Sequence, residues 1–255
     1  MVKQTTPPND IRELVDLVEI LAATVDDSSQ DAHLRQLAAR SLRRIRRELL
    51  PFTVPPHRTV SANYVSPGSN DVQLHVGCGT HLLEGFINID VAETADLRWD
   101  VRASLPFQDD TINLVFSEHM LEHMDFDLSA KKFCSECHRV LREGGRFILG
   151  VPDAESIIRA YVENDGPLID QYRLHCFAKR ALADTYLEDF DIVSLVFHDE
   201  YAHEKYNPHF WGYSGESLCA LLRRTGFRNA AVLSNAPAYS NRKRQFGSLY
   251  VEAYK

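Results

Sequence analysis

The sequence predicts an α/β fold, a mostly parallel sheet of seven strands with a reversed C-terminal edge strand, preceded by a helical extension. Beyond residue 70, short runs rich in β-branched and aromatic residues alternate with helical segments. Strands separated by helices pair in parallel, and the helices pack on the sheet. The last two runs are too close for a helical crossover, so we expect an antiparallel pair at one sheet edge.

Seven short runs are the predicted strands, and turn residues or helical segments separate them. They are Val72–Val76, Phe86–Ile89, Leu97–Val101, Ile112–Phe116, Phe147–Val151, Arg228–Leu233 and Ser248–Tyr254. An amphipathic helix is predicted over Ser129–Arg142, and the glycine pair that begins at Gly144 should stop it. A shorter helix near the end should begin after the N-cap Ser214 and close at Gly226.

Residues 1–50 are predicted to form a helical hairpin, because apolar residues recur at helical spacing in two segments. Residues 51–70 contain four prolines and are predicted to be an extended linker. The α/β domain then spans 71–255, with an aromatic- and histidine-rich insertion at about 154–210 that we expect to form a lid. The apolar faces of the hairpin either cover this domain or pack against a second subunit in a homodimer.

Composition narrows the class of protein. The 255 residues are 44% hydrophobic and 25% charged, which excludes wholesale disorder, and no apolar run is long enough to span a membrane. A net charge of −8 argues against a nucleic-acid partner. Five scattered cysteines and a polar N-terminus without the apolar core of a signal peptide are typical of a cytoplasmic protein.

A turn with two glycines follows the first predicted strand, in the segment Leu74–Gly79. Glycine is needed where the backbone takes unusual dihedral angles and lets a ligand approach closely. The carboxyl end of the first strand is also where open α/β sheets bind ligands. The turn therefore predicts a ligand site, although many α/β turns carry such a pair by chance.

Acidic residues end the next two predicted strands. Asp90 ends the second strand, where a carboxylate can accept hydrogen bonds from both hydroxyls of a ribose, and Asp100 ends the third, where it can bond an adenine amino group. Either residue alone can be a turn former at a strand end. Together with the glycine turn, the two acids favour a nucleoside site.

These residues and four ordered motifs resemble class I S-adenosylmethionine-dependent methyltransferases, and the type-11-like group most of all. The motifs are Gly77-Cys78-Gly79, Asp100…Leu105-Pro106-Phe107, Leu121-Glu122-His123 and Arg139-Val140-Leu141-Arg142-Glu143-Gly144-Gly145. The resemblance covers roughly residues 70–153 and 210–255. It implies a Rossmann-like fold and S-adenosylmethionine as the cofactor.

The resemblance also implies which residues hold the cofactor. Gly77, Cys78, Gly79 and Thr80 would approach its methionine part. The ribose and adenine contacts would come from Asp90 with Val91 and from Asp100 with Val101, and Ser117 and Glu118 would follow the fourth strand into the site.

The sequence departs from the family pattern near the turn. His75 stands where an acid usually precedes the glycines, His81 occupies the third glycine position, and Asn113 replaces an acid of the fourth strand. The interval between Gly79 and Asp90 is too short for a full helix, so we expect a clipped first helix. These changes affect the residues expected near the methionine part of the cofactor. The expected ribose and adenine contacts are unchanged.

The predicted activity is methyl transfer to an oxygen, or alternatively a nitrogen, of a small molecule such as a sugar or a glycosylated natural product. If the acceptor is a hydroxyl, a base assists, and imidazole is suited to that role. His119 lies just beyond the fourth strand, and His203 and His209 lie in the aromatic insertion, so these three are the candidate bases.

Other activities remain as alternatives. A nicotinamide-dependent oxidoreductase of the same fold would carry a third glycine at position 82, which is Leu82. A catalytically silent, methyltransferase-like binding subunit would have no need of the glycines and acids. We expect no metal, because the spacing of His198, His203 and His209 and the isolated Cys134–Cys137 pair do not match the usual zinc patterns.

Overall fold

The computed structural model describes residues 71–177, 188–197 and 209–255, together with six positions before residue 50. Residues 1–59 and 60–255 form two compact units. The six early positions, which are Val18, Ile20, Leu21, Ser41, Leu42 and Ile45, all have helical conformation. The rest of the predicted hairpin and the whole predicted linker lie outside the described residues.

The sheet has seven strands in the order β3-β2-β1-β4-β5-β7-β6. The strands are β1 (Gln73–Val76), β2 (Ile87–Asp90), β3 (Leu97–Arg98), β4 (Ile112–Glu118), β5 (Leu141–Pro152), β6 (Arg228–Val232) and β7 (Ser248–Tyr254). Strands β1 to β5 are parallel, whereas β7 runs antiparallel to both β5 and β6. The predicted α/β fold with a reversed strand pair at one edge is confirmed.

Five α-helices accompany the sheet within the described residues. They are α1 (Lys131–Val140), α2 (Ala154–Val162), α3 (Gly166–Phe177), α4 (Asp189–Phe197) and α5 (Gly215–Arg224). A 3-10 turn at Leu121–His123 and a π-helical turn at Phe126–Ala130 link β4 to α1. No helix in the described part of the chain has the length and apolar character that a bilayer span requires.

Two predicted element bounds shift in the structure. Helix α1 is shorter than predicted, because Leu141 is already extended and pairs with Ile112 at the start of β5. Strand β3 has two residues, because the chain turns after Arg98, and the amide of Ala103 then donates to the carbonyl of Asp100. Ser214 does cap α5, in a capping box with Ser217.

The main core lies where α1 and α5 pack on one face of the sheet. Its largest fully buried side chains include Phe133 of α1, Phe147 of β5 and Leu222 of α5. Arg139 of α1 locks the preceding segment by donating to the carbonyls of Leu105 and Phe107. The hydrogen bond to Glu136, the largest contribution, raises the pKa of this guanidinium.

The opposite face of the sheet has a different cover. Residues 77–86 form turns, so the short interval excludes a full helix as predicted, but the expected clipped helix is absent. Leu83 and Phe86 pack there beside the connection between β6 and β7. Tyr239 of this β6–β7 connection (residues 233–247) stacks edge-on against Phe116, with ring centroids 4.9 Å apart. The connection thus occupies space that a longer crossover helix would fill, and it reaches the carboxyl end of β4.

Candidate functional site

The glycine turn leaves bare main chain at the carboxyl end of β1. Gly77 and Gly79 have φ angles of 74° and 52°, in the left-handed region that favours glycine. A Cβ on Gly77 would lie 2.5 Å from Cγ of Met120, whereas a Cβ on Gly79 would meet nothing within 4 Å. The turn is therefore packed from below at Gly77 and open at Gly79.

Asp90 sits at the end of β2 and is fixed by main-chain amides. Its Oδ2 accepts a hydrogen bond from the amide of Gly79 at 2.8 Å, and its Oδ1 accepts one from the amide of Ala92 at 2.9 Å. Each carboxylate oxygen can accept a second hydrogen bond. The side chain is half-buried, and the neighbouring Val91 is 58% exposed, so the carboxylate borders an open apolar surface.

Asp100 lies at the same edge of the sheet. The amide of Trp99 donates to the carbonyl of Asp90 at 2.9 Å, which ties the two segments together. The Asp100 carboxylate accepts hydrogen bonds from the amide, Nε and Nη2 of Arg102, and it is only 10% exposed. Arg102 therefore takes much of its acceptor capacity, and Val101 beside it is part of the main core.

The remaining candidate cofactor residues differ in exposure. Thr80 is exposed, while Cys78 is buried and burial raises the pKa of its thiol to about 12. Ser117 is fully buried, and its hydroxyl has no hydrogen-bond partner among the described residues. Glu118 is buried too and accepts hydrogen bonds from the hydroxyl of Tyr250 at 2.6 Å and the amide of Asn241 at 3.2 Å.

These observations fit an adenosyl cofactor at this edge. Open space lies above Gly79, a fixed carboxylate with spare acceptor capacity stands beside it, and an exposed apolar side chain adjoins that carboxylate at Val91. A ribose offers two hydroxyl donors, which match the free acceptor positions of Asp90. The bare main chain at Gly79 allows the close approach that such a ligand needs.

His119 lies at the carboxyl end of β4 in a strained conformation. Its φ of 53° is uncommon for a residue with a side chain and is typical of functional positions. Its amide donates to the carbonyl of Gly150 at 2.9 Å, which fixes the backbone. The ring places Nε2 2.6 Å from Oγ of Ser248 and Nδ1 3.3 Å from Oε1 of Glu122.

Glu122 is a buried carboxylate with 1% of its surface exposed. Burial acts to raise its pKa, but the hydrogen bond and charge of His119, together with His123 and His209, hold the pKa at about 2. The contact of Oε1 with Nδ1 of His119, at 3.3 Å, has poor hydrogen-bond geometry, and Oε2 has no hydrogen-bond partner among the described residues. Sequence reasoning assigned Glu122 to a family motif only. Its position three residues after His119 is the feature of the sequence that could have indicated their contact.

A cavity of about 370 Å³ opens beside His119 at the same edge of the sheet. Its wall includes Ser248, which contacts the imidazole of His119. The other lining residues are Asp153, Val232, Leu233, Ser234, Asn235, Ala236, Gln245, Leu249 and Tyr250. Asp153 also caps α2 by accepting a hydrogen bond from the amide of Ser156. Half of this lining comes from the β6–β7 connection, which sequence reasoning had not connected with a ligand.

Two aromatic residues just after the insertion pack toward the link between β4 and α1 and into the core. Trp211 stacks on Phe126 with ring centroids 4.7 Å apart, and Tyr213 is fully buried in the core. His209 meets His123 edge-on at 4.9 Å, so it lies near Glu122 rather than in the wall of the cavity. His203, the other predicted base in the insertion, lies outside the described residues.

One family of known proteins matches the segment that forms the parallel strands. Residues 74–149 match the sequence model of a family described as a methyltransferase domain. A search of curated protein sequences finds no significant match.

Several solved structures are similar at low identity. One from Thermotoga maritima, titled a SAM-dependent methyltransferase and possible histamine N-methyltransferase, is 16% identical, with 72% of this chain and 81% of that chain covered and a TM-score of 0.43. A SAM-dependent methyltransferase from Archaeoglobus fulgidus is 14% identical, with 77% and 92% covered and a TM-score of 0.43. One from Mesorhizobium loti is 16% identical, with 73% and 91% covered and a TM-score of 0.43.

The family match covers the glycine turn, both acids and β1 to most of β5. The order of the strands and the antiparallel direction of β7 are those of the fold that the motifs predicted. Residues 74–149 therefore match a methyltransferase domain, and this segment carries most of the motifs that resemble class I S-adenosylmethionine-dependent methyltransferases.

Proposed function

We propose that this methyltransferase transfers a methyl group to a hydroxyl oxygen of a small molecule, with a sugar or a glycosylated natural product as the acceptor. A nitrogen acceptor is the second choice. The observation that carries the proposal is the position of His119, whose Nε2 faces Ser248 in the wall of the cavity beside the cofactor edge.

In this proposal the cofactor is held by the residues named from the sequence. Main chain from Gly77 to Thr80 would approach the methionine part, Asp90 and Val91 would hold the ribose, and Asp100 with Val101 would frame the adenine. Ser117 and Glu118 would shape the floor at the end of β4. When bound, the cofactor supplies a methyl group on a positively charged sulfur, which an acceptor lone pair can displace in line.

His119 would act as the general base for the acceptor hydroxyl. Because the hydroxyl of Ser248 donates to the carbonyl of Arg244, Nε2 carries a proton toward Ser248 in this arrangement. Nε2 would become the basic nitrogen when Ser248 turns away and the ring proton sits on Nδ1, toward the Glu122 carboxylate. If the Ser248 side chain rotates away, an acceptor hydroxyl in the vacated place could give its proton to Nε2, and the cofactor would supply the methyl group as its carbon–sulfur bond breaks. The proton then leaves to solvent, because His119 is partly exposed.

The cavity favours a polyhydroxylated acceptor. Its wall contains hydroxyl, amide and carboxylate groups from Ser234, Asn235, Gln245 and Asp153, which can donate or accept hydrogen bonds. A small number of placed polar groups in a concave site is typical of small-molecule binding. The insertion at 154–210 would close over this region as an acceptor-binding lid.

The remaining partner and location proposals rest on the sequence. We place the protein in the cytoplasm, without a nucleic-acid partner, because of its acidic charge and scattered cysteines. Apolar helix faces within residues 1–50 would join two copies in a homodimer. Light scattering of the full chain during size exclusion would give the mass of a dimer if this is right and of a monomer if it is wrong.

The acceptor proposal is tested with methyl-labelled S-adenosylmethionine and a panel of monosaccharides, aryl glycosides and aliphatic amines. Magnetic resonance of the products should locate the label on oxygen of a sugar or glycoside, and label confined to amines would contradict the proposal. His119→Asn should lower kcat by about 10²–10⁴-fold, which is the usual worth of a general base.

Asparagine tolerates the left-handed backbone of position 119, so this variant keeps the fold. His138→Gln, on α1 and outside the cavity wall, is the matched control and should keep its activity. An unchanged kcat in His119→Asn would remove His119 from the reaction.

A further inference from the structure

We propose a metal site for a divalent transition-metal ion of the zinc class, formed by Glu122, His123 and His209. We call these three residues the Glu-His-His cluster. The inference is independent of the proposed methyl transfer. It differs from the sequence-based expectation of no metal, because that expectation grouped His209 with His198 and His203 and did not consider Glu122 and His123.

The first observation is the state of Glu122. Its side chain is 1% exposed, and neither oxygen has a hydrogen-bond partner of good geometry among the described residues. Removing a carboxylate from water without compensation costs several kcal/mol. Within the described part of the chain, the one close polar contact of Glu122 is Nδ1 of His119, 3.3 Å from Oε1, so a buried carboxylate with its other oxygen uncompensated is uncommon unless a cation or a ligand completes it.

The second observation is that imidazoles surround this carboxylate. One ligand atom each from Glu122, His123 and His209 lies within 4.8 Å of the others. The rings of His123 and His209 contact edge-on, with centroids 4.9 Å apart. His123 Nε2 is 4.0 Å from Oε1 of Glu122, and both histidines remain partly exposed, so an ion could enter from solvent.

The backbone holds the two halves of the cluster together. The amide of Phe210 donates to the carbonyl of Glu122 at 2.7 Å, directly after His209. Trp211, two residues after His209, stacks on Phe126. His209 is therefore positioned next to the 3-10 turn by contacts that do not involve its own ring.

The donor set identifies the class of ion. Two imidazole nitrogens and one carboxylate oxygen form a common set for zinc sites with an open position, and imidazole suits Zn²⁺ far better than Mg²⁺ or Ca²⁺. Ligand atoms bonded at about 2.0–2.1 Å to a tetrahedral ion lie roughly 3.3 Å apart. The three ligand atoms lie within 4.8 Å of one another, so they must approach each other by at most about 1.5 Å to bind the ion. Rotation of the partly exposed rings permits this movement.

His119 would contact the metal ligand Glu122 without binding the ion itself. Its Nδ1 faces Oε1 of Glu122 at 3.3 Å, and a carboxylate has a second oxygen for the ion. Such an outer partner orients a metal ligand and raises its affinity. A bound ion would thus fix the carboxylate that faces His119 and anchor the segment at 209–213 to the 3-10 turn.

The test uses the full chain without cofactor or acceptor, so its outcome is separate from that of the methyl-transfer assays. Purified protein is treated with EDTA and dialysed, and ZnCl₂ is then added in a calorimeter, with metal content checked by mass spectrometry. We expect about one Zn²⁺ for each chain. His209→Gln should lower the affinity for Zn²⁺ by at least about tenfold, as the loss of a ligand or its partner does.

Two further variants are a control outside the cluster and a second ligand substitution within it. His175→Gln removes an exposed histidine outside the cluster and should bind Zn²⁺ as the parent does. His123→Gln should repeat the loss seen in His209→Gln and should change the visible spectrum of the Co²⁺-loaded protein. Circular dichroism confirms that each variant is folded. Substoichiometric Zn²⁺, or equal affinity in the parent and both cluster variants, would overturn the proposal.

Discussion

The carboxylate of Asp90 accepts a hydrogen bond from the main-chain amide of Gly79 at 2.8 Å, so the glycine turn and the end of β2 form one unit. The separation of eleven residues along the chain is bridged because β1 and β2 are parallel neighbours. This contact leaves open space above Gly79 and a carboxylate beside it. It is the structural basis on which the proposed cofactor contacts depend.

Gly79→Ala should weaken cofactor binding more than it weakens the fold. The new Cβ would enter the space that we assign to the cofactor, and the left-handed φ of 52° adds roughly 1–2 kcal/mol of strain. Gly85→Ala is the matched control, because Gly85 also has a positive φ and open space but lies before β2.

Calorimetry with S-adenosylhomocysteine and urea unfolding of both variants make the comparison. We expect similar losses of stability and at least a tenfold loss of affinity in Gly79→Ala alone. Equal affinities for the ligand would argue against the proposed approach of the cofactor to the turn.

Gly77→Ala should instead destabilise the fold. Its Cβ would lie 2.5 Å from Cγ of Met120, at a φ of 74°, so overpacking and backbone strain add. We expect a loss of about 2–4 kcal/mol in the free energy of unfolding. Met120→Ala in the same chain should recover part of this loss by removing the clash, and a double variant no more stable than Gly77→Ala would show that Met120 is not the obstacle.

His75 should make the fold sensitive to acid. Burial lowers the pKa of its ring to about 4, against the opposing hydrogen bond with Asn88, so protonation favours the unfolded chain. The contribution of His75 to the free energy of unfolding is therefore fully present above about pH 6.5, and it is lost as the pH decreases toward 4. At pH 5 the contribution lost is about 2 kcal/mol.

His75→Gln removes this titration but keeps a polar group beside Asn88. Urea unfolding at pH 7 and pH 5 should show a smaller difference in this variant than in the parent. The same acid sensitivity in both proteins would assign the effect to other groups.

Arg139→Ala should cost more stability than an ordinary surface substitution. The guanidinium donates to the carbonyls of Leu105 and Phe107 and to the carboxylates of Glu136 and Asp109. Loss of several hydrogen bonds from a charged, partly buried group should lower the free energy of unfolding by about 2–3 kcal/mol. Lys132→Ala, at an exposed position of the same helix, should change it by less than about 0.5 kcal/mol. Thermal unfolding of the two variants, compared with the parent, checks the difference.

The parts of the site that follow strands were predictable from the sequence. Gly79 and Asp90 each come directly after an apolar run, and parallel strands bring such positions to one edge. The short interval between them also correctly excluded a full crossover helix, although the clipped helix expected there is absent and turns take its place. Local pattern was enough in these cases.

Contacts between distant parts of the chain were not predictable in the same way. Ser248 meets His119 across 129 positions, and no local pattern marks that pairing. His209 was expected near the acceptor but packs on His123, because the amide of Phe210 ties its segment to Glu122. The sequence analysis also did not foresee that Arg102 binds the carboxylate of Asp100 from two positions away.

The most direct measurement of the central claim is the affinity of S-adenosylhomocysteine for the parent chain and for Asp90→Ala, by calorimetry at neutral pH. A carboxylate that accepts two ribose hydroxyls should be worth about 2–4 kcal/mol, so the variant should bind at least about thirtyfold more weakly while staying folded. Equal binding by both proteins, or binding of NAD in place of S-adenosylhomocysteine by the parent, would contradict the account.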